Sequence, residues 1–274
     1  MTRVLQLSDT HLMAAGALHN GLVDTTAALV HALEALRDVG PLDAVVVSGD
    51  VSDDGTVASY EAARDLVGGF AAERGAVAVF AMGNHDVAGP FEQVLGPTRS
   101  VHDVAGVRIV VLDSSVPGRG YGELPAEQLS WAREVLADPA PRGSVVVVHH
   151  SPLPAPTVLH EGLRLQRPAE LLDALAGTDV RAVLSGHYHH PFAATLPSGL
   201  AAFVAPAVAN RCDVLVAPGR ERILRGSGAL LVDLDERGVR ATVLTVPVPG
   251  DGEELFVLDE ETVTRILAQA GVPG

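Results

Sequence analysis

Apolar residues in the first part of the chain come in short continuous runs, and most of these runs end in a polar or acidic cluster. Residues 4–7, 44–47, 77–81, 107–112, 145–148 and 182–184 are such runs, rich in Val, Leu and Ala. Apolar side chains at consecutive rather than alternate positions predict strands buried on both faces. Between them the period becomes helical. Residues 24–38 carry apolar positions at helical spacing and stop at Gly40-Pro41. Residues 59–73 predict a second helix, weakened at Gly68-Gly69, residues 125–137 a third that opens with Pro125, and residues 169–176 a fourth. Residues 101–104 and 107–112 read as a hairpin turning at Ala105-Gly106.

The pattern changes after Pro191. Residues 192–196, 201–205, 228–234 and 239–246 read as strands joined by turns, with no helix between them. The fold class is therefore α/β, with βαβ units in the first half and an added antiparallel sheet in the second. Residues 247–253 are a linker of Pro, Gly and acidic residues. Residues 260–270 predict a separate terminal helix with an apolar face of Val263, Ile266, Leu267 and Ala270. The expected organisation is one domain over 1–246, then a linker and helix over 247–274. That helix is read as a lid or as a subunit contact in a homodimer, peripheral to chemistry.

Composition narrows the function. The 274 residues, 47% of them hydrophobic, suffice for a substantial core in one large domain or two small ones. The lone Cys212 excludes an internal disulfide framework and reads as an inert buried side chain. The chain enters a strand directly after Thr2, and no apolar stretch is long enough to cross a bilayer. A soluble cytoplasmic protein with no membrane partner is expected. The net charge is −15 and all 19 basic residues are Arg, with no basic stripe to hold a nucleic-acid backbone. An acidic protein acting on an anionic ester needs local positive charge, and bound divalent ions would supply it.

Five segments carry the candidate chemistry: Asp9-Thr10-His11, Gly49-Asp50, Gly83-Asn84-His85-Asp86, His149-His150 and Gly186-His187-Tyr188-His189. Each follows a predicted buried strand, where α/β proteins place their sites. They supply carboxylates, imidazoles and one amide oxygen, and no thiolate. That donor set suits two divalent ions, Mn or Fe first, with Zn or Co as alternatives. Asp9 and His11 sit at i, i+2, as do His187 and His189, so each pair lies on one face of an extended segment. Asp50 has two oxygens with which to bridge two ions. Asp86 is read as the orienting partner of His85, which would act as a catalytic acid. Gly49, Gly83 and Gly186 permit tight turns and close approach beside the ligands. His150 and His190 each either touch substrate or support a ligand. Asp53, Tyr188 and Arg211 are further candidates for substrate binding. His19, His31, His102 and His160 lack partners at ligand spacing and read as ordinary histidines.

In order and spacing the segments resemble the signature of the calcineurin-like metallophosphoesterases, D-x-H, G-D, G-N-H-D/E, H and G-H-x-H, over about the first 190 residues. The resemblance implies a four-layer α/β/β/α sandwich with two metals at its strand ends. By position, Asp9, His11, Asp50 and His189 would hold one ion, and Asp50, Asn84, His149 and His187 the other. His85 would face substrate. Residues 112–118, 122–124, 128–131 and 177–184 are most similar to the class III cyclic-nucleotide phosphodiesterase branch. That branch implies hydrolysis of cyclic nucleotides and other small phosphodiesters by attack of a metal-bridging hydroxide. Asp53 stands where purple acid phosphatases carry a tyrosine ligand, so their charge-transfer colour is not expected. A phosphomonoesterase or nucleotidase with the same ligands is the rival reading. A non-catalytic metal-binding scaffold is a further rival, against which the complete ligand set argues.

Overall fold

Burial sorts the strands into two sheets that face each other. The computed structural model describes residues 1–196 and 198–271. Strands β1 (Thr2–Leu7), β2 (Ala44–Ser48) and β3 (Val77–Ala81) pair in parallel. A hairpin of β4 (Ser100–Val104) and β5 (Val107–Leu112) leads into β6 (Ser144–Val148) and β7 (Val180–Ser185), with β5, β6 and β7 also parallel.

Side-chain alternation then builds the layers. On β1, Val4 faces the second sheet, packing with Ile109, Val145 and Val147, while Leu5 and Leu7 face outward. Leu5 and Leu7 are covered by α1 (Thr25–Ala35), α2 (Val57–Ala72) and α3 (Ala88–Leu95). On the far side, Val110, Leu112, Val146 and Val148 are covered by α4 (Ala126–Val135) and a later helix that brings Leu171 and Leu175. That helix is α6 (Pro168–Leu175), preceded by the short α5 (Val158–Gly162). The result is the expected four-layer α/β/β/α sandwich. The segments at 88–95 and 158–162 give no helical period long enough to read in the sequence.

The strands after Pro191 do not form one added antiparallel sheet. β8 (Phe192–Thr195) and β9 (Ala201–Val204) extend the second sheet, β9 running parallel to β7. Between them and the next long hairpin lie β10 (Arg211–Cys212) and β11 (Glu221–Leu224). The hairpin itself, β12 (Ser227–Asp235) and β13 (Gly238–Val246), closes the edge of the first sheet by pairing β12 antiparallel to β1. The reason is burial: Leu230, Val232 and Leu234 of β12 are needed to cover the space between the sheets. The sheets thus run β13-β12-β1-β2-β3 and β4-β5-β6-β7-β9-β8.

A small third sheet sits apart, in the order β10-β11-β14, where β14 is Glu254–Leu258. Residues 247–253 form turns before it. Pairing of β14 with β11 fastens the chain that leads to α7 (Glu260–Ala270). Asp259 caps α7 by accepting a 2.9 Å hydrogen bond from the Thr262 amide. Leu267 packs directly over Gly162 of α5. The Arg119 guanidinium donates to the carbonyls of Gln269 and Ala270 at the other end.

One buried polar bridge joins the two large sheets beneath their C-terminal strand ends. Gln6 is fully buried on β1, and its amide donates 2.8 Å hydrogen bonds to Ser48 Oγ on β2 and to the Ser185 carbonyl on β7. Substituting Gln6→Ala should lower stability by about 2–4 kcal/mol, from two lost hydrogen bonds and the cavity left behind. Urea unfolding checks this as a lower midpoint with an unchanged slope.

Candidate metal centre

Parallel strands bring their C-terminal ends to one edge, and that edge collects all five segments. β1 leads to Asp9 and His11, β2 to Asp50, β3 to Asn84 and His85, β6 to His149, and β7 to His187 and His189. The donor atoms face one another across short gaps. His11 Nε2 lies 3.2 Å from His189 Nε2 and 3.7 Å from Asp50 Oδ2. His189 Nε2 lies 3.4 Å from Asp9 Oδ1. His149 Nε2 lies 3.3 Å from Asp50 Oδ2 and 3.2 Å from Asn84 Oδ1. Asp50 therefore stands between a His11–His189–Asp9 group and a His149–Asn84 group. His187 joins the second group, with a ring nitrogen within 4.8 Å of those of His149 and His150.

In each of the four imidazoles one nitrogen is anchored by an acceptor and the other turns inward. His11 Nδ1–H donates to Asp53 Oδ1 at 3.1 Å, and His149 Nδ1–H to the Ser48 carbonyl at 2.8 Å. His189 Nδ1–H donates to Asn210 Oδ1 at 2.6 Å. His187 reverses the pattern, with Nε2–H donating to the Leu163 carbonyl at 3.0 Å and Nδ1 left for the centre. Fixed tautomers that present a lone pair are what metal-binding histidines require. The facing donors fit a pair of divalent cations, because His11 Nε2 and His189 Nε2 meet at 3.2 Å beside two buried carboxylates.

The backbone is strained where it does this. Among the described residues, five of the nine non-glycine residues with positive φ are Asp9, His11, Asp50, His187 and His189, with φ from 45° to 72°. Such conformations cost about 1–3 kcal/mol each and cluster where geometry serves function. Two glycines make the approach possible. A Cβ on Gly83 would collide with the Asp50 carboxylate, and one on Gly186 with Ser8 Oγ and the Asp9 carboxylate.

Among the described residues the ionic partners of Asp9 and Asp50 are histidines alone. Burial works to raise the Asp50 carboxyl, but His149, His85 and His11 hold it well below the usual carboxylate range. Burial pushes His11 down to about 4. Burial also works against the charged form of His149, but Asp50 overrides it and raises the ring to about 9. A bound cation competes with such protons, since these ligands bind metal deprotonated.

Around this centre the structure corrects several expectations. Asp86 does not orient His85. Its carboxylate accepts from the amides of Gly83, Val51 and Ser52 at 2.8–3.1 Å, bracing the loop after β3 against the loop after β2. The partner of His85 is Asp53, whose Oδ1 lies 2.9 Å from His85 Nδ1. Asp53 also accepts from His11, and His19 Nδ1 lies 3.2 Å from its other oxygen. It thus orients His85 and His11, and His19 stands beside them. Neither His19 nor Asn210 has a neighbour in sequence that would have marked it.

Tyr188 is fully buried and donates to the Leu153 carbonyl, so it does not reach substrate. His150 is fully buried between Ser114 Oγ and the Gly120 carbonyl, and burial lowers it to about 3. It is a wall behind His149 and His187. His190 is half-buried and turns Nδ1 toward the Cys212 carbonyl. The Arg211 guanidinium lies by Gly252 and, among the described residues, pairs with none of the candidate ligands.

The chain is similar to known proteins. The pattern of the calcineurin-like phosphoesterases matches residues 2–191. A cAMP/cGMP dual specificity phosphodiesterase of Mycobacterium tuberculosis is 40% identical over 98% of this chain and 86% of its own. A probable cyclic nucleotide phosphodiesterase of Rhodococcus erythropolis is 37% identical over 92% of this chain and 88% of its own. Among solved structures, a dimetal phosphatase from Danio rerio aligns with 90% of this chain and 99% of that one at TM-score 0.58 and 12% identity, a likeness of fold. With its pattern matched over residues 2–191 and its relatives aligned along nearly its whole length, the chain belongs to the calcineurin-like phosphoesterase family.

Proposed function

We propose that the chain is a dinuclear metal-dependent hydrolase of phosphodiesters, with cyclic nucleotides as its substrates. The observation that carries this reading is the set of four anchored imidazoles converging with Asp9, Asp50 and Asn84 on one point. Asp9, His11, Asp50 and His189 would hold one ion, and Asp50, Asn84, His149 and His187 the other, with Mn or Fe preferred. Two divalent cations supply Lewis acidity toward phosphoryl oxygens and a water of lowered pKa. The names of the M. tuberculosis and R. erythropolis relatives favour diesters over monoesters. The lone cysteine, free of any disulfide, suits a reducing cytoplasm.

The chain's own residues divide the remaining work. His85 keeps 43% of its side chain exposed, so it can meet a substrate that the buried ligands cannot. Partial desolvation works against its charged form, but Asp50 and Asp53 outweigh that and raise it to about 9. A protonated His85 donates to the leaving oxygen of the ester, and Asp53 keeps its ring in position. Asp86, with three amide donors, holds the loop that carries both Asn84 and His85.

The test is a substrate panel on chelated and Mn²⁺-reloaded protein. Activity should vanish on chelation and return on reloading. The kcat/KM for cyclic AMP, cyclic GMP and bis(p-nitrophenyl) phosphate should exceed that for p-nitrophenyl phosphate. The opposite order at matched metal and pH would replace the diesterase reading with a phosphatase.

Two substitutions separate the roles. His85→Ala should keep the metal content measured by elemental analysis and lower kcat by about 10²–10⁴-fold. Asp53→Ala removes the acceptor that fixes both His11 and His85. It should therefore weaken metal binding by about 10–100-fold as well as slow turnover. Equal metal loss in the two variants would contradict this division.

A further inference from the structure

Behind the centre a second cluster of ligand-type side chains comes from three separate elements. His160 lies on α5, Cys212 ends β10 and Glu221 opens β11. All three are buried, Glu221 to 1% exposure. Their donor atoms lie within 4.8 Å of one another. His160 Nδ1 is 3.5 Å from Glu221 Oε1, and the Cys212 thiol donates a short hydrogen bond to the same oxygen, a proton that a bound cation would displace. With metal–nitrogen and metal–oxygen bonds of about 2.1 Å, the nitrogen–oxygen edge of a tetrahedral zinc site is about 3.4 Å, which the His160–Glu221 pair matches, while the Cys212–Glu221 pair is closer and would open on binding. Thr157 Oγ1, 3.0 Å from His160 Nδ1, stands beside the group.

A second observation points to a ligand. Among the described residues, Glu221 Oε2 is buried and has no hydrogen-bond partner. A buried carboxylate oxygen left unpaired is costly, and native structures rarely tolerate it without an ion or water. The charges match a dication: one thiolate and one carboxylate neutralise it, and a neutral imidazole adds a lone pair without adding charge.

We propose that His160, Cys212 and Glu221 form a further cation site, thiolate-containing and suited to Zn²⁺, that staples α5 to the small sheet. Sulfur, nitrogen and oxygen are the three donor types that zinc accepts, and a fourth position is open to Thr157 or water. The staple bears on the first centre from both sides. The Leu163 carbonyl at the end of α5 fixes the His187 ring, and the Cys212 amide donates to the His189 carbonyl at 3.0 Å. The site is thereby a positioning element for the Gly186–His189 segment.

Cobalt titration of demetallated protein tests it without reference to activity. Cys212 is the single cysteine, so any thiolate-to-cobalt charge-transfer band in the near ultraviolet arises from this site. Wild-type protein should show the band. Cys212→Ser should lose it together with one equivalent of cobalt. Glu221→Gln, which keeps the thiol, should weaken the band-forming equivalent by more than about 100-fold, beyond what loss of an outer-shell partner costs. Absence of the band at saturating cobalt in wild-type protein overturns the proposal. So does an unchanged stoichiometry in Cys212→Ser. Should Cys212→Ser fail to fold, the wild-type band and Glu221→Gln still decide. The dinuclear reading contains no sulfur ligand, so its failure leaves this band untouched.

Discussion

A single 2.8 Å hydrogen bond, from His149 Nδ1–H to the Ser48 carbonyl, spans the two sheets at the point where chemistry is placed. Ser48 ends β2 in the first sheet and His149 follows β6 in the second. The bond does two things at once. It sets the spacing of the sheets at their C-terminal edge, and it turns His149 Nε2 toward Asp50 and Asn84. Gln6 repeats the coupling one layer down by bridging Ser48 and Ser185. Every candidate ligand comes from a loop that leaves one of these strands, so a slip between the sheets would separate the donors. The apolar layer of Val4, Val46, Val79, Ile109, Val145 and Val147 supplies the attraction, which has no direction of its own. The buried polar bonds supply the register.

Strain concentrates where that register is used. Asp9, His11, Asp50, His187 and His189 hold left-handed backbones, at a cost of about 1–3 kcal/mol each. Asp and His tolerate this region better than most side chains. Three surrounding bonds keep them there: Asp9 N–H to the Gly49 carbonyl, His11 N–H to the Asp50 carbonyl, and the His187 amide to the Asp9 carboxylate. The loops brace one another, so no single loop carries its own conformation. Asp86 extends the same logic to the third loop, since its carboxylate is held by the amides of Val51, Ser52 and Gly83.

The sequence made the strands and their polar ends legible because burial on both faces leaves continuous β-branched runs such as residues 145–148. It also made the glycines legible, because close approach forbids a Cβ at Gly83 and Gly186. What it hid was contact between segments distant in the chain. His85 precedes Asp86, yet its partner is Asp53, because the Asp86 oxygens are already engaged by three amides. His19 and Asn210 act through Asp53 and His189 from loops with no periodic signal. The closing strands after Pro191 were legible as strands but not as to which sheet they join, because that choice depends on where the remaining apolar surface lies. The two-residue β10 and four-residue β11 are too short to give any period.

Exposure finally separates the proposed ligands from the proposed acid. Asp9, Asp50, His149 and His187 are almost wholly enclosed, and every ring nitrogen or oxygen not facing the centre has its own acceptor or donor. Rigid, desolvated ligands suit a function that requires fixed geometry. His85 differs from them in each respect. It is the open member of the site, its amide is fixed by Asp50 Oδ1 at 2.9 Å, and its ring is fixed by Asp53. A group in that setting keeps its proton through the two carboxylates while its other nitrogen faces solvent. Asp53 thus links the two functions. The carboxylate that fixes the tautomer of His11 also sustains the charge of His85, so the metal binding and proton transfer proposed for them would share one side chain.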